Sequence, residues 1–198
     1  MIFDLIQGWD AAVLLWIQNN LRGPLDGVIS VWTNLGEAGI LWIILCLIML
    51  IRKPTRRAGV TALIAMGICY LFNDCLIKNL ICRPRPYDTV EGLTILIAAP
   101  GSWSFPSGHA CSSLAAANVW WRTLDKRWMR ILLLVLAILM ALSRLYVGVH
   151  YPSDVLVGAL VGTVGGQLIW LASEKILSGR AADQKRAQDP RADWQHRN

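Results

Sequence analysis

Apolar residues in this chain gather into long blocks separated by short basic or Gly/Pro-containing connections. The blocks run from about Ile40 to Ile51, Ala58 to Ile77, Ala110 to Trp121, Ile131 to Ser143 and Val155 to Ala172. Crossing a bilayer takes roughly 20 residues, with a usable range of about 17–25. The shorter blocks therefore extend into flanking turns, which their Gly, Ser, Thr and Asn residues allow. This pattern predicts an all-α fold, an integral membrane helical bundle of about five transmembrane helices. Ahead of the first span, Phe3, Ile6, Trp9, Val13, Trp16 and Ile17 recur at helical spacing against Asp4, Gln7, Asp10 and Gln18. That fits an amphipathic helix lying in the interface. Asn20, Gly23 and Pro24 break it, and Leu25 to Leu35 form a second short helix. A sixth span over residues 2–21 is the alternative, opposed by the cost of placing Asp4 and Asp10 in lipid.

Composition agrees with this division. At 198 residues, 55% hydrophobic and with 10 Trp, the chain fits one domain whose apolar surface faces lipid as well as core. The N-terminus lacks a basic n-region, so no cleavable signal peptide is evident. Residues 1–178 are expected to form a single membrane-embedded domain, and 179–198 a charged, frayed cytoplasmic tail. Cys46, Cys69, Cys75 and Cys111 sit in or beside apolar blocks and read as small buried thiols, with no metal-binding spacing. Whether Cys82 meets Cys75 is left open by the sequence.

The net charge of +6 does not point to nucleic acid, because of where the charge lies. Arg52, Lys53, Arg56 and Arg57 fill one connection, Arg122, Lys126, Arg127 and Arg130 another, and Lys175, Arg180, Lys185, Arg186, Arg191 and Arg197 the tail. Basic residues concentrate in cytoplasmic loops, which places these three regions inside. Arg22, Lys78, Arg83, Arg85 and Arg144 then face the other side. With that orientation, three polar stretches distant in sequence converge on the extracytoplasmic end of the bundle.

Those stretches are Lys78 to Arg85-Pro86, Pro106-Ser107-Gly108-His109, and Ser143-Arg144 through His150 to Asp154. The second reads as a helix start whose free N–H groups and dipole attract an anion; Ser107 as a plain N-cap and Gly108 as a packing residue is the alternative. His109, in the first turn, is placed to hand a proton to a leaving oxygen. Tyr151-Pro152-Ser153-Asp154 is another helix start, and Asp154 there either suits the dipole or accepts the Nδ1–H of His150, freeing Nε2 as a nucleophile. An Arg at the edge of a span, such as Arg144, is a functional-site candidate, and its fork suits phosphate oxygens. Lys78 either joins it or snorkels to headgroups, and Arg85 is either a third cation or a loop charge stiffened by prolines. Three converging cations neutralise a phosphate without a metal, and no Asp/Glu or His/Cys set of metal-binding spacing is present.

Lys78, six intervening residues, Arg85-Pro86; Pro106-Ser107-Gly108-His109; Ser143-Arg144, five residues, His150, three residues, Asp154: this resembles the three-part signature of the type 2 phosphatidic acid phosphatase, or lipid phosphate phosphatase, family. The resemblance implies a vanadium-haloperoxidase-like core and a phosphatase without cofactor. It further implies His150 as the phosphorylated nucleophile, His109 as the acid, Asp154 as the group orienting His150, and Lys78, Arg85, Ser107, Gly108 and Arg144 as the phosphate-binding set. In character the chain is similar to bacterial undecaprenyl pyrophosphate phosphatases of the bacitracin-resistance type, with phosphatidylglycerophosphate and phosphatidate phosphatases as alternatives. The partners it implies are an amphiphilic lipid phosphate and the membrane itself. A non-catalytic lipid-binding or transport protein would need the cations but not two imidazoles and a carboxylate. Trp103 and Phe105 are candidates for a lateral lipid entrance, and Arg83 with Lys78 would supply extra charge for a diphosphate.

Overall fold

The structure, a computed structural model, describes residues 2–187. Among the described residues every regular element is helical. Helix α1 (Ile2–Leu21) and the short α2 (Asp26–Leu35) lead through a 3₁₀ turn at Glu37–Gly39 into α3 (Ile40–Ile51). That turn needs positive φ at Ala38 (50°) and Gly39 (74°), and it bends the chain by 50° between α2 and α3. Helix α4 (Lys53–Tyr70) starts with a Pro in its first turn and runs through a π-helical segment, Leu71–Ile77, into α5 (Lys78–Ile81). A single turn, α6 (Pro86–Thr89), precedes a long loop; then come α7 (Gly108–Thr123), α8 (Arg127–Tyr146) and α9 (Pro152–Ala187).

By length and hydropathy three helical stretches among the described residues are able to cross a membrane, Lys53–Thr89, Arg127–Tyr146 and Pro152–Gln184. The bent pair Asp26–Leu35 and Glu37–Ile51 makes a fourth when taken as one span. With α7, these occupy the five apolar blocks of the sequence. Outward-facing Ile44, Leu47, Ile48, Ile64, Leu139, Leu142, Leu160 and Leu168 are all exposed, as expected of a multi-pass membrane protein whose solvent is lipid.

Helix α7, 16 residues long, is the centre of the bundle, packed against α4, α8 and α9. Its buried face is made of Ala110, Cys111, Ser113, Ala115, Ala116 and Ala117, side chains small enough for neighbours to approach backbone to backbone. Helix α9 meets it with Gly158, Gly162 and Gly166, one residue per turn along one face. A Cβ at Gly162 would lie 2.1 Å from the Cys111 carbonyl oxygen, and one at Gly158 2.4 Å from that of Ser107. Further along, Trp42 of α3 and Trp120 of α7 pack at a 6.0 Å centroid distance inside the main core. Gly162→Ala is accordingly expected to destabilise the protein by at least about 1–3 kcal/mol, the usual cost of overpacking. Thermal unfolding in detergent checks it, and an unchanged midpoint would contradict this contact.

Three expectations change. Helix α9 does not fray at Ser178 but continues to Ala187, because Arg180, Ala181, Ala182 and Gln184 favour helix even without a buried face; residues 188–198 of the expected tail lie outside the described residues. In α1, Asp10 does not join a wetted polar face. It is fully buried against Arg83, so its charge is no longer an objection to burying this helix, although α1 is not among the stretches that meet the spanning criterion. All five cysteines are free; Cys46, Cys69 and Cys111 are buried as expected, whereas Cys75, expected buried, is exposed, as is Cys82.

Candidate active site

The three polar stretches meet at one end of the bundle. Lys78 follows the π-helical segment, a distortion that often marks functional positions, and is buried with its Nζ 2.5 Å from Asp74 Oδ1. Arg85 stands between Pro84 and Pro86 in extended backbone (φ −80°, ψ 158°), since the residue before a proline avoids the helical region. Its buried fork is anchored: Nε donates to the Ser102 carbonyl at 2.7 Å and Nη1 to that of Val149 at 2.8 Å. Nη1 also lies 3.4 Å from His150 Nε2. Arg144, in the last turn of α8, is 3% exposed and donates from Nη1 to Thr33 Oγ1 at 2.7 Å.

Ser107 caps α7, accepting from the Ala110 N–H at 3.5 Å, while its own N–H donates to the Asp154 carbonyl at 3.0 Å. The N–H groups of the first turn beyond it are the orphan donors of a helix start. A tight turn at Gly148, with φ of 81°, brings the chain from α8 to His150, which is buried, with Nδ1 3.5 Å from Asp154 Oδ2. That is long for a hydrogen bond, but a carboxylate on this side favours the Nδ1–H tautomer and leaves the Nε2 lone pair toward Arg85. Burial pulls the His150 pKa down to about 3, with Arg85 and Arg144 acting in the same direction and Asp154 opposing them. The ring is thus neutral at physiological pH.

Of the eight candidate residues, Lys78, Arg85, Gly108, His109, Arg144 and His150 line one cavity of about 1020 Å³. Ser107 and Asp154 sit behind its wall. A tetrahedral anion seated among the three cations would meet the α7 N-terminus on one side and His150 on another. The cavity does not stop at the polar end. Ile43 of α3 and Leu63, Met66, Gly67 and Tyr70 of α4 line it too, and Leu63 lies roughly 22 Å from Lys78 along a helix rising about 1.5 Å per residue.

Two sequence readings are corrected here. Trp103 and Phe105 are not among the lining residues; the apolar flank lies between α3 and α4, and the loop contributes Ile97 to Ser102 instead. Arg83 is not a spare cation for a diphosphate. Its guanidinium is committed to Asp154 Oδ1 (2.6 Å), Asp10 Oδ2 (2.7 Å) and Ser153 Oγ (2.7 Å), and it stacks 3.8 Å from the Tyr151 ring centroid.

Sequence reasoning missed Asp74, Thr33, Ser102 and Ser104. Asp74 and Lys78 are four apart on one helix, a spacing that pairs opposite charges, so this contact had a signal. Thr33 and Ser104, which bind Arg144 and Asp154, had none, because a single hydroxyl in a short helix or in a connecting loop is unremarkable. The buried Asp10 had the general signal of an acid among apolar residues.

The PAP2 superfamily model matches residues 58–177. The chain is 33% identical to the undecaprenyl-diphosphatase of Sulfolobus acidocaldarius over 156 residues, 79% of this chain and 74% of that protein. It is 37% identical over 184 residues to the decaprenylphosphoryl-5-phosphoribose phosphatase of Mycobacterium tuberculosis, 89% of this chain and 96% of that one. The crystal structure of the transmembrane PAP2 type phosphatidylglycerolphosphate phosphatase from Bacillus subtilis aligns with a TM-score of 0.69 at 30% identity, covering 87% of this chain and 88% of that one. A bacterial vanadium-dependent iodoperoxidase shares the fold at a TM-score of 0.66 and 16% identity, covering 81% of this chain and 47% of that one. The chain belongs to the PAP2 superfamily of membrane lipid phosphatases, as its signature led us to expect, and is a phosphatase.

Proposed function

We propose that the protein hydrolyses an isoprenoid lipid phosphate in two displacements at His150. The observation that carries this is the His150–Arg85 contact on the wall of a cavity that also holds Lys78, Arg144 and His109 and continues along apolar α3 and α4. In the first step Nε2 attacks phosphorus, an N–P bond forms and the ester or anhydride P–O bond breaks. His109 gives its proton to the departing oxygen. In the second, water attacks phosphorus, His109 takes a proton from it, and the N–P bond breaks to release inorganic phosphate and free His150. Lys78, Arg85, Arg144 and the N–H groups after Ser107 and at Gly108 hold the phosphoryl oxygens as charge builds. Asp154 orients His150, and no metal enters the sequence.

The apolar flank favours an amphiphile whose chain lies beside α3 and α4 while its headgroup reaches the cations, which makes soluble sugar phosphates poor substrates. The clusters Arg52 to Arg57 and Arg122 to Arg130 lie at the opposite ends of α4, α7 and α8 from this site. The charge rule for loops supports a site on the extracytoplasmic face, where undecaprenyl pyrophosphate is our first substrate. A relative named for that activity supports it. A second reading has a specific observation behind it: Asp74 already neutralises Lys78, and Asn34 and Glu37 add hydrogen-bonding, partly acidic surface to the cavity. That balance suits a phosphomonoester on a hydroxyl-rich headgroup, such as a polyprenyl-linked phosphoribose. Purified protein should be given undecaprenyl pyrophosphate, decaprenylphosphoryl-5-phosphoribose, phosphatidylglycerophosphate and phosphatidate side by side. We expect the two isoprenoid lipids to lead in kcat/KM. A tenfold preference for either glycerolipid, about 1.4 kcal/mol in transition-state stabilisation, would overturn the isoprenoid reading while leaving the phosphatase in place.

A further inference from the structure

We propose that Arg83, held by Asp10 of the N-terminal helix, is a positioning residue for the Asp154–His150 pair, so that α1 completes the active site. This rests on the reading of His150 as nucleophile. Neither residue belongs to the three-part signature, and Asp10 lies outside the residues that the family model matches. Their geometry is nevertheless specific. Arg83 is wedged between two carboxylates of 0% exposure, Asp10 and Asp154, with one guanidinium nitrogen to each. Asp10 in turn accepts from the Ser153 backbone N–H at 2.9 Å and from its hydroxyl at 2.5 Å, fixing the first turn of α9 on which Asp154 stands.

The consequence for Asp154 is a division of labour between its oxygens. Oδ1 is taken by Arg83, while Oδ2 accepts from Ser104 Oγ at 2.5 Å and the Tyr151 N–H at 3.0 Å and is the oxygen facing His150 Nδ1. Without Arg83 the carboxylate could rotate, and two buried anions would lose their shared counter-charge, a costly arrangement in a dry interior. The fork matters as well as the charge, since it reaches both acids and Ser153 at once.

Charge gives this role a signature of its own. Around His150 stand Arg85, Arg144, His109 and Asp154; around Asp154 stand His150, Arg83 and, through Arg83, Asp10. Removing the Arg83 charge leaves Asp154 a stronger partner for the Nδ1–H of His150. That favours the imidazolium, so the neutral, nucleophilic ring is lost at a higher pH than in the wild type.

The test uses the full chain in detergent, with undecaprenyl pyrophosphate and phosphatidate as probes. Arg83→Gln is expected to lower kcat about 100-fold, the scale of a small misplacement of a reacting group, with KM little changed and the acid limb of the kcat/KM profile moved to higher pH. Arg83→Lys should return the limb toward its wild-type position and recover part of kcat. Asp10→Asn should also lower kcat, more weakly, but without moving the acid limb to higher pH, because it removes an anion and leaves the Arg83 charge beside Asp154; the Arg83→Gln/Asp10→Asn double variant should be no worse in kcat than Arg83→Gln alone, as members of one network are not additive. Should Arg83→Gln fail to fold, Arg83→Lys and Asp10→Asn carry the kcat readout, and wild-type kcat in both would overturn the inference. Wild-type kcat and acid limb in Arg83→Gln would overturn the inference. So would a kcat loss that merely tracks a lower thermal midpoint with the limb in place. Phosphate release by His150→Ala at the wild-type rate would instead bring down the reading on which it rests.

Discussion

Replacing His150 with alanine is expected to lower phosphate release by at least about 10³-fold, the scale on which loss of a covalent nucleophile acts. The cations Lys78, Arg85 and Arg144 would remain and would still hold the lipid headgroup, so binding should survive while turnover does not. His109 is the other imidazole on the cavity wall, but it stands on α7, without the carboxylate that faces Nδ1 of His150. It is therefore not placed to take over the attack. Because His150 is buried, the variant leaves a small void, and a thermal midpoint measured beside the rate separates lost chemistry from lost folding. A His150→Ala protein that binds lipid and is folded yet retains a tenth of wild-type turnover would contradict the proposed role.

The second large effect is expected at Arg85. Arg85→Met should reduce kcat by about 10²–10³, the usual contribution of one preorganised group at a developing anion. The loss should exceed any rise in KM, since charge on the transferring phosphoryl oxygens grows toward the transition state. Arg85→Lys should recover only part of it. A lysine restores the charge but cannot donate to Ser102 and Val149 while also facing His150, as the present fork does. Equal kcat in Arg85→Lys and the wild type would mean that charge alone matters there. Steady-state kinetics on a single lipid probe decide between the two outcomes.

Much of this molecule was legible because membrane burial and phosphate chemistry both leave strong marks. Blocks such as Ala58 to Ile77 and Ile131 to Ser143 can only be helices in a bilayer, where every backbone polar group must be satisfied within its own segment. Lys78, Arg85, Arg144, His109 and His150 stood out because charged residues at the ends of such blocks are expensive unless used, and the structure lines one cavity with all of them. What the sequence withheld is long-range pairing of side chains. Nothing local distinguished Arg83 from Arg85, two positions apart in the same proline-flanked loop, yet one faces His150 and the other is held between Asp10 and Asp154. The direction of the apolar flank was hidden for the same reason. Trp103 and Phe105 were the conspicuous aromatics beside the phosphate turn, whereas the groove runs along Met66, Gly67 and Tyr70, which as sequence are ordinary span residues. Likewise the helical continuation to Ala187 came from local propensity that a reading based on hydrophobic pattern discounts.

The phosphoenzyme is the most direct test of all. Wild-type protein mixed with lipid carrying a labelled terminal phosphate, and quenched in base within the turnover time, should carry the label on protein in a form stable to base and lost in acid, as a phosphoramidate is. Peptide mapping should place it on His150, and the His150→Ala protein should take up none. Label on any other residue, or full wild-type turnover with no labelled protein at any time, would contradict covalent catalysis by His150.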